Sequence, residues 1–272
     1  MSFSDREHSL ANGQPIRLYD FSRGPIHWAY TSADRDIEHN NQVFRARAVS
    51  DDGIRQTGEA LPDLLTLTGP ADLEVAQLYR HGRPSTAPEL VVWDRHQDEA
   101  QALVAWIGTI ADVNWPSDSR VQVKCRPLGS ISKTGLSLAW SRNCPHTLYD
   151  QNCRVERERF RVPFTLERYD GRSVTGAGNA LGGYPDGYFR GGYIEWDSGQ
   201  GVIEQRGIAE HSGNTLVLVG GTSFLSMGLG INAFPGCDGL IQTCHDTFDN
   251  TDNCGAVKDL PGTSPFDGDP VW

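Results

Sequence analysis

The sequence predicts a mainly β protein in two parts. A barrel or sandwich is expected over residues 1–142, and an irregular β domain organised around four cysteines over 143–272. Three observations carry this prediction. Short runs rich in β-branched and aromatic residues recur between turn signals, one run alternates strictly between apolar and polar positions, and only one segment has helical spacing. No repeat of solenoid period is visible.

The first run is Gln42 to Val49. A short helix is expected at Pro70 to Tyr79, because Pro70 suits a first helical position and Leu73, Ala76, Leu78 and Tyr79 fall near one face. Strand runs follow at Glu89 to Trp93 and Leu103 to Ile110. The wider segment Gln97 to Ile110 starts with helix formers, but its second half, from Val104, favours a strand, and the strand is adopted. In Arg120 to Lys124, Val121 and Val123 alternate with Arg120, Gln122 and Lys124, the period of a strand with one dry face. Gly171 to Gly192, GRSVTGAGNALGGYPDGYFRGG, is loaded with glycine and predicts tight turns and loops. Tyr193 to Trp196 and Gly201 to Gln205 then flank Asp197, Ser198 and Gly199 as a hairpin, with Glu195, Asp197 and Glu204 expected at exposed positions. Thr215 to Val219 is the last run.

Chemistry concentrates in the cysteines. Cys144 and Cys153 have eight residues between them, and Cys237 and Cys244 have six; each pair lies in a short polar segment, unusual for a residue that normally behaves as a small buried hydrophobe. A chain of 272 residues can bury a stable core without disulfide staples. In a reducing cytoplasm such pairs read as metal ligands sooner than as disulfides. Four thiolates from two distant segments can hold a tetrahedral zinc or an iron-sulfur cluster. Disulfides, a redox pair and unrelated buried thiols are the alternatives. Zinc sites built only of cysteine usually use two to four intervening residues, so the wider spacings suit a larger inorganic core. If both pairs share one metal they belong to one unit, which places the domain boundary near Arg142.

Other classes are disfavoured. Lys and Arg number 24 against 35 Asp and Glu, a net charge of −11 that opposes sequence-specific nucleic-acid binding. The first residues have no apolar core of signal-peptide type and nowhere do 18 apolar residues run together, so no membrane insertion is expected. No catalytic set emerges. Cys144 and His146 lie only two apart, GAGNALGG spells neither phosphate-binding fingerprint, and Asp249 to Cys254 lacks the turn glycine of a calcium loop and reads as a polar turn.

The stretches RNCPHTLYDQNCRV, GYFRGGYIEWDSGQ and PGCDGLIQTCHDTFDN, with the tail LPGTSPFDGDP, resemble the C-terminal half of phage tail-tip hub proteins. That family includes the lambda minor tail protein L and the hub protein of gene transfer agents. LYDF, AYTSADRDI, VFRARAVSDDGIRQTGE and VKCRPL resemble its longer, gene-transfer-agent side. The resemblance implies that Cys144, Cys153, Cys237 and Cys244 ligate a structural [4Fe-4S] cluster. It implies a non-enzymatic hub of a long non-contractile tail, a homotrimer of β-barrel domains around the channel for the tape measure protein and DNA. Its other partners would be a distal tail protein and a central tip or fibre protein, at the virion tail tip after assembly in the host cytoplasm. The chain departs from the family pattern at Cys254, where a Phe is usual, and at Arg154, where a glycine is common. Rival expectations are a tail-associated carbohydrate-binding module using Tyr184 to Trp196 and a cell-wall-degrading enzyme with a structural zinc site. The tail Leu260 to Trp272 is expected to lie across a neighbouring subunit.

Overall fold

The computed structural model describes residue 8 and residues 15–55, 63–96, 101–129, 140–199 and 201–260. The helix-forming start of the Gln97 to Ile110 segment and the tail beyond Leu260 lie outside them. The chain forms two compact units, one of Met1–Gly135 with Asp197–Glu204 and one of Leu136–Trp196 with Gln205–Trp272. Its strands, in chain order, are β1 Pro15–Arg23, β2 Ile26–Thr31, β3 Ile37–His39, β4 Gln42–Ala46, β5 Ser50–Asp51, β6 Leu65–Pro70, β7 Glu89–His96, β8 Ala102–Ser117 and β9 Arg120–Pro127. There follow β10 Val162–Tyr169, β11 Ser173–Gly176, β12 Tyr193–Asp197, β13 Ile203–Ser212, β14 Thr215–Leu218 and β15 Gly230–Phe234. Two short helices, α1 Glu74–Gln77 and α2 Ile241–Asp246, interrupt them.

The mainly β expectation holds, and the architecture corrects its details. In the first unit β1 to β9 form one nine-stranded sheet in the order β3-β4-β2-β1-β7-β8-β9-β6-β5. Bulges at Val92/Trp93, Ile110/Asp112 and Asn114/Ser117 each add twist and bend the long β8 against its neighbours. The sheet therefore curls. Asp51 on β5 meets β1, five strands away in sheet order, where it accepts a hydrogen bond from the Tyr19 hydroxyl at 2.6 Å and pairs with Arg17. Inside the curl, Tyr19, Phe21, Leu65, Leu67, Val121 and Val123 share one buried cluster, so the strict alternation of β9 does face a core.

The closed barrel lies in the second unit, in the order β10-β11-β14-β13-β12-β15. Val162, Phe164 and Leu166 of β10 point inward with Trp196, Leu216 and Ile231 and alternate with exposed residues, the period-two pattern a filled barrel requires. Closure comes from pairing β10 with β15, with Phe164 opposite Ile231.

Three local expectations are corrected. The helix spans only Glu74–Gln77, because Pro70 ends β6 and the ladder to Arg120 takes the residue that was expected to start the helix. Within the glycine-rich segment Ser173–Gly176 is a barrel strand; the remainder forms turns. Glu195 and Glu204 are buried at 8% and 1% exposure, because each has a guanidinium partner: Arg157 for Glu195, Arg23 for Glu204. Asp197 alone of the three is exposed.

Candidate metal centre

Cys144, Cys153, Cys237 and Cys244 line one cavity of 210 Å³ within the second unit. The sequence brings them there by three local devices. Asp150 accepts from the backbone N–H groups of Thr147, Asn152 and Cys153 at 3.1, 2.9 and 2.6 Å, folding the segment between the first two cysteines into a compact loop. These donors hold its carboxyl below the usual range, the Cys153 N–H foremost. The Gly239 carbonyl accepts from the Cys144 N–H at 2.7 Å, joining the two cysteine segments directly. Cys244 on α2 and Phe248 in the turn that follows it lie four apart, and both line the cavity. Behind the site, Phe248 and Phe160 meet edge to face at 5.0 Å in a small apolar cluster with Cys153 and Val155.

Backbone amides point at the sulfurs. The Gly255 N–H donates to Cys144 Sγ at 3.2 Å and the Gly239 N–H to Cys237 Sγ at 3.4 Å. Amide donors of this kind stabilise thiolate and tune the potential of any cluster the sulfurs hold. Burial pushes the Cys237 thiol up, with the Gly239 N–H opposing it. Burial and then the neighbouring Cys254 sulfur push Cys244 up to about 12. Metal ligation by cysteine requires the thiolate, so a cation bound among these sulfurs would displace their protons.

All four sequence-predicted residues thus come together. The fifth thiol, Cys254, lies against Cys244 after the 3₁₀ turn Thr251–Asn253, and Cys125 sits in the core of the first unit, 0% exposed on β9. His146 directs Nδ1 at the Asn253 carbonyl, 3.1 Å away, which ties it to that turn. Among the described residues, no three His, Cys, Asp or Glu side chains are disposed to hold a single metal ion. What sequence reasoning missed is Asp150, whose spacing of three before Cys153 is a recognisable turn signal.

Residues 22–156 match the family model described as baseplate hub protein, N-terminal attachment domain, and residues 187–264 match that of a phage conserved hypothetical protein, BR0599. Together these matches support a structural component of a phage-type particle with a hub-type first half. An uncharacterized protein of Xylella fastidiosa (strain 9a5c) is 28% identical over 167 residues, which are 57% of this chain and 35% of that protein, so the chain spans about a third of that relative's length. Among solved structures, a chain of the virion of the native gene transfer agent particle superposes with a TM-score of 0.78 at 18% identity, covering 99% of this chain and 96% of that one. It has the same fold. Among the described residues no helix is long and apolar enough to cross a membrane.

Proposed function

We propose that this chain is a non-enzymatic hub of a long, non-contractile phage-type tail, joining the distal tail ring to the central tip protein around the tape-measure and DNA channel. The match of residues 22–156 to the hub attachment-domain model carries this reading. The fold shared with a gene transfer agent virion chain over 99% of the length agrees with it. A homotrimeric ring fits a channel function, since a heterologous interface closes by rotation. The net charge of −11 suits a protein past which DNA moves without being held.

In this reading Cys144, Cys153, Cys237 and Cys244 hold a [4Fe-4S] cluster. Four thiolates on one zinc sit about 2.3 Å from it, a space smaller than a single water needs. The cavity they line is 210 Å³, which suits a larger inorganic core. When bound, the cluster supplies a four-point crosslink between the segments near 150 and 240. The chain's part is to present the thiolates, donate amide hydrogen bonds from Gly239 and Gly255, and keep the site packed against Phe248.

Anaerobic purification with iron and sulfide analysis tests the cluster: about four irons per chain are expected, and a colourless, iron-free protein would reject it. Particle assembly tests the hub. Cys144→Ser or Cys237→Ser is expected to leave particles without tips, whereas normal infectious particles from both variants would contradict the reading. Cys254→Ser is expected to retain the iron, because the cluster needs only the other four thiols.

A further inference from the structure

A second cavity, of 500 Å³, shares Cys237 and Asp238 with the cysteine site and opens beside a different face of α2. Its volume falls in the range of about 300–1,000 Å³ occupied by small-molecule sites. Besides those two residues, its side-chain lining is Tyr188, Arg190, Thr243 and Thr247, with backbone at three glycines. We propose that this cavity binds a neutral saccharide unit, with Tyr188 as the platform for the sugar ring.

The residues argue for that class in three steps. Tyr188 is held rigid: Tyr184 stacks on it at 4.8 Å with planes 21° apart, and Phe189 meets it edge-on at 5.0 Å. Stacking on Tyr184 covers one ring face, and the half-buried Tyr188 lines the cavity, where the C–H face of a pyranose can pack on an aromatic side chain. Thr243 and Thr247 lie four apart, so their side chains share one face of the α2 segment while Cys244 and Phe248, one position on, serve the cysteine cavity. Each hydroxyl both donates and accepts, as sugar hydroxyls do. Arg190 adds donors and Asp238 acceptors; Asp238 Oδ1 takes the Leu240 N–H at 2.9 Å, which fixes the carboxylate beside the cavity.

Competing ligands fit less well. A peptide hot spot needs a hydrocarbon-lined pocket for an aliphatic or aromatic anchor, and apart from Tyr188 and Cys237 the side chains here are charged or hydroxylated. A phosphate or other anion would gain from Arg190 but meet Asp238, so a lining that carries both signs favours a neutral, polyhydroxylated guest. Two close backbone contacts hold the walls together. A Cβ on Gly236 would stand 2.1 Å from the Arg190 carbonyl oxygen, and one on Gly192 would stand 2.0 Å from that of Phe234. Glycine at both positions lets the loop bearing Tyr188 and Arg190 lie directly on the loop bearing Cys237 and Asp238.

This inference requires neither the tail assignment nor iron at the cysteines. The test is saturation-transfer difference NMR on the purified full chain with glucose, galactose, N-acetylglucosamine, their β-linked disaccharides, glucuronate and inorganic phosphate. Transfer is expected to the ring C–H protons of at least one neutral sugar at millimolar concentration, weakened at least about tenfold by Tyr188→Ala and by Arg190→Ala. Tyr188→Phe is expected to retain it, since the platform is the ring. Thr247→Val, which keeps the shape and removes a hydroxyl, separates lost binding from lost folding, as does Arg190→Ala at an exposed position. No transfer to any neutral sugar, stronger binding of glucuronate or phosphate, or binding that survives both Arg190→Ala and Thr247→Val would each overturn the proposal.

Discussion

Arg154 has φ of +60°, a left-handed conformation that costs a residue with a Cβ about 1–2 kcal/mol relative to glycine. It directly follows Cys153, is exposed, and donates its backbone N–H to Asp150 at 2.9 Å, so the conformation follows from the turn that aims the cysteine. Arg154→Gly is therefore expected to be neutral or stabilising by up to about 1 kcal/mol, once the added freedom of glycine in the unfolded chain is subtracted. A urea melt measures it, and a loss above about 1 kcal/mol would contradict the account. Tyr149, at φ of +71°, behaves oppositely. Its hydroxyl donates to the Pro235 carbonyl at 3.2 Å and its ring packs edge-on against Phe234, so glycine there loses more than the conformation costs. At this scale the gathering of Cys144, Cys153, Cys237 and Cys244 around one cavity was legible from their polar surroundings and paired spacing. Glu195 and Glu204 were not, since the burial of an acid depends on an Arg 38 or 181 residues away in the chain.

Among the elements, the glycine-rich stretch reads correctly as mostly turns, but its composition hides the precision of the contacts. The Gly236 contact with Arg190 and Gly191 is backbone against backbone and has no flexible side chain to yield. Gly236→Ala is expected to cost about 2–3 kcal/mol or more, whereas Gly183→Ala, whose Cβ would meet nothing within 4 Å, is expected to stay within about 0.5 kcal/mol of the parent. Equal urea midpoints for the two would refute the close approach. A second element-scale prediction concerns Asp197–Glu204, which belongs to the first unit through a buried network: Glu204 pairs with Arg23 and accepts from the Ser85 N–H and hydroxyl at 3.0 and 2.7 Å. Burial raises the Glu204 carboxyl, but these partners outweigh it and hold it below the usual range. The folded value lies below the unfolded one of about 4.3, so this stabilisation is complete above that pH and is lost as pH falls through the folded value. Glu204→Gln is expected to cost about 3 kcal/mol at neutral pH by stranding the Arg23 charge, and to flatten the acid side of the stability profile. Flattening is partial, because Asp51, also held low by Arg17 and Tyr19, titrates in the same direction. An unchanged acid slope in Glu204→Gln would show that the network does not carry the effect.

At the scale of the whole molecule, β content was legible from local patterns, whereas the location of the barrel was not. Closure depends on β10 meeting β15 across some seventy residues, a non-local pairing that leaves no period in the sequence. The two units draw on different resources. The first buries a large cluster built from Tyr19, Leu67, Val123 and their neighbours and a smaller one of Leu18, Ala29 and Phe44. The segments 144–155 and 237–255 of the second rest on a small cluster around Cys153, Val155 and Phe248 and, in the proposed reading, on the iron-sulfur crosslink. A crosslink closing a loop of that length stabilises by about 4 kcal/mol if it acts as a disulfide does, mainly through the unfolded chain. Stripping the metal with a chelator under reducing conditions is therefore expected to destabilise the second unit selectively. Hydrogen exchange should accelerate across 144–155 and 237–255 by up to about a thousandfold, the equivalent of about 4 kcal/mol, while β6, β7 and β9 of the first unit keep their protection. Uniform acceleration in both units would mean that the chain unfolds as one cooperative body, and no acceleration anywhere would mean that the cysteine segments are held by protein contacts alone.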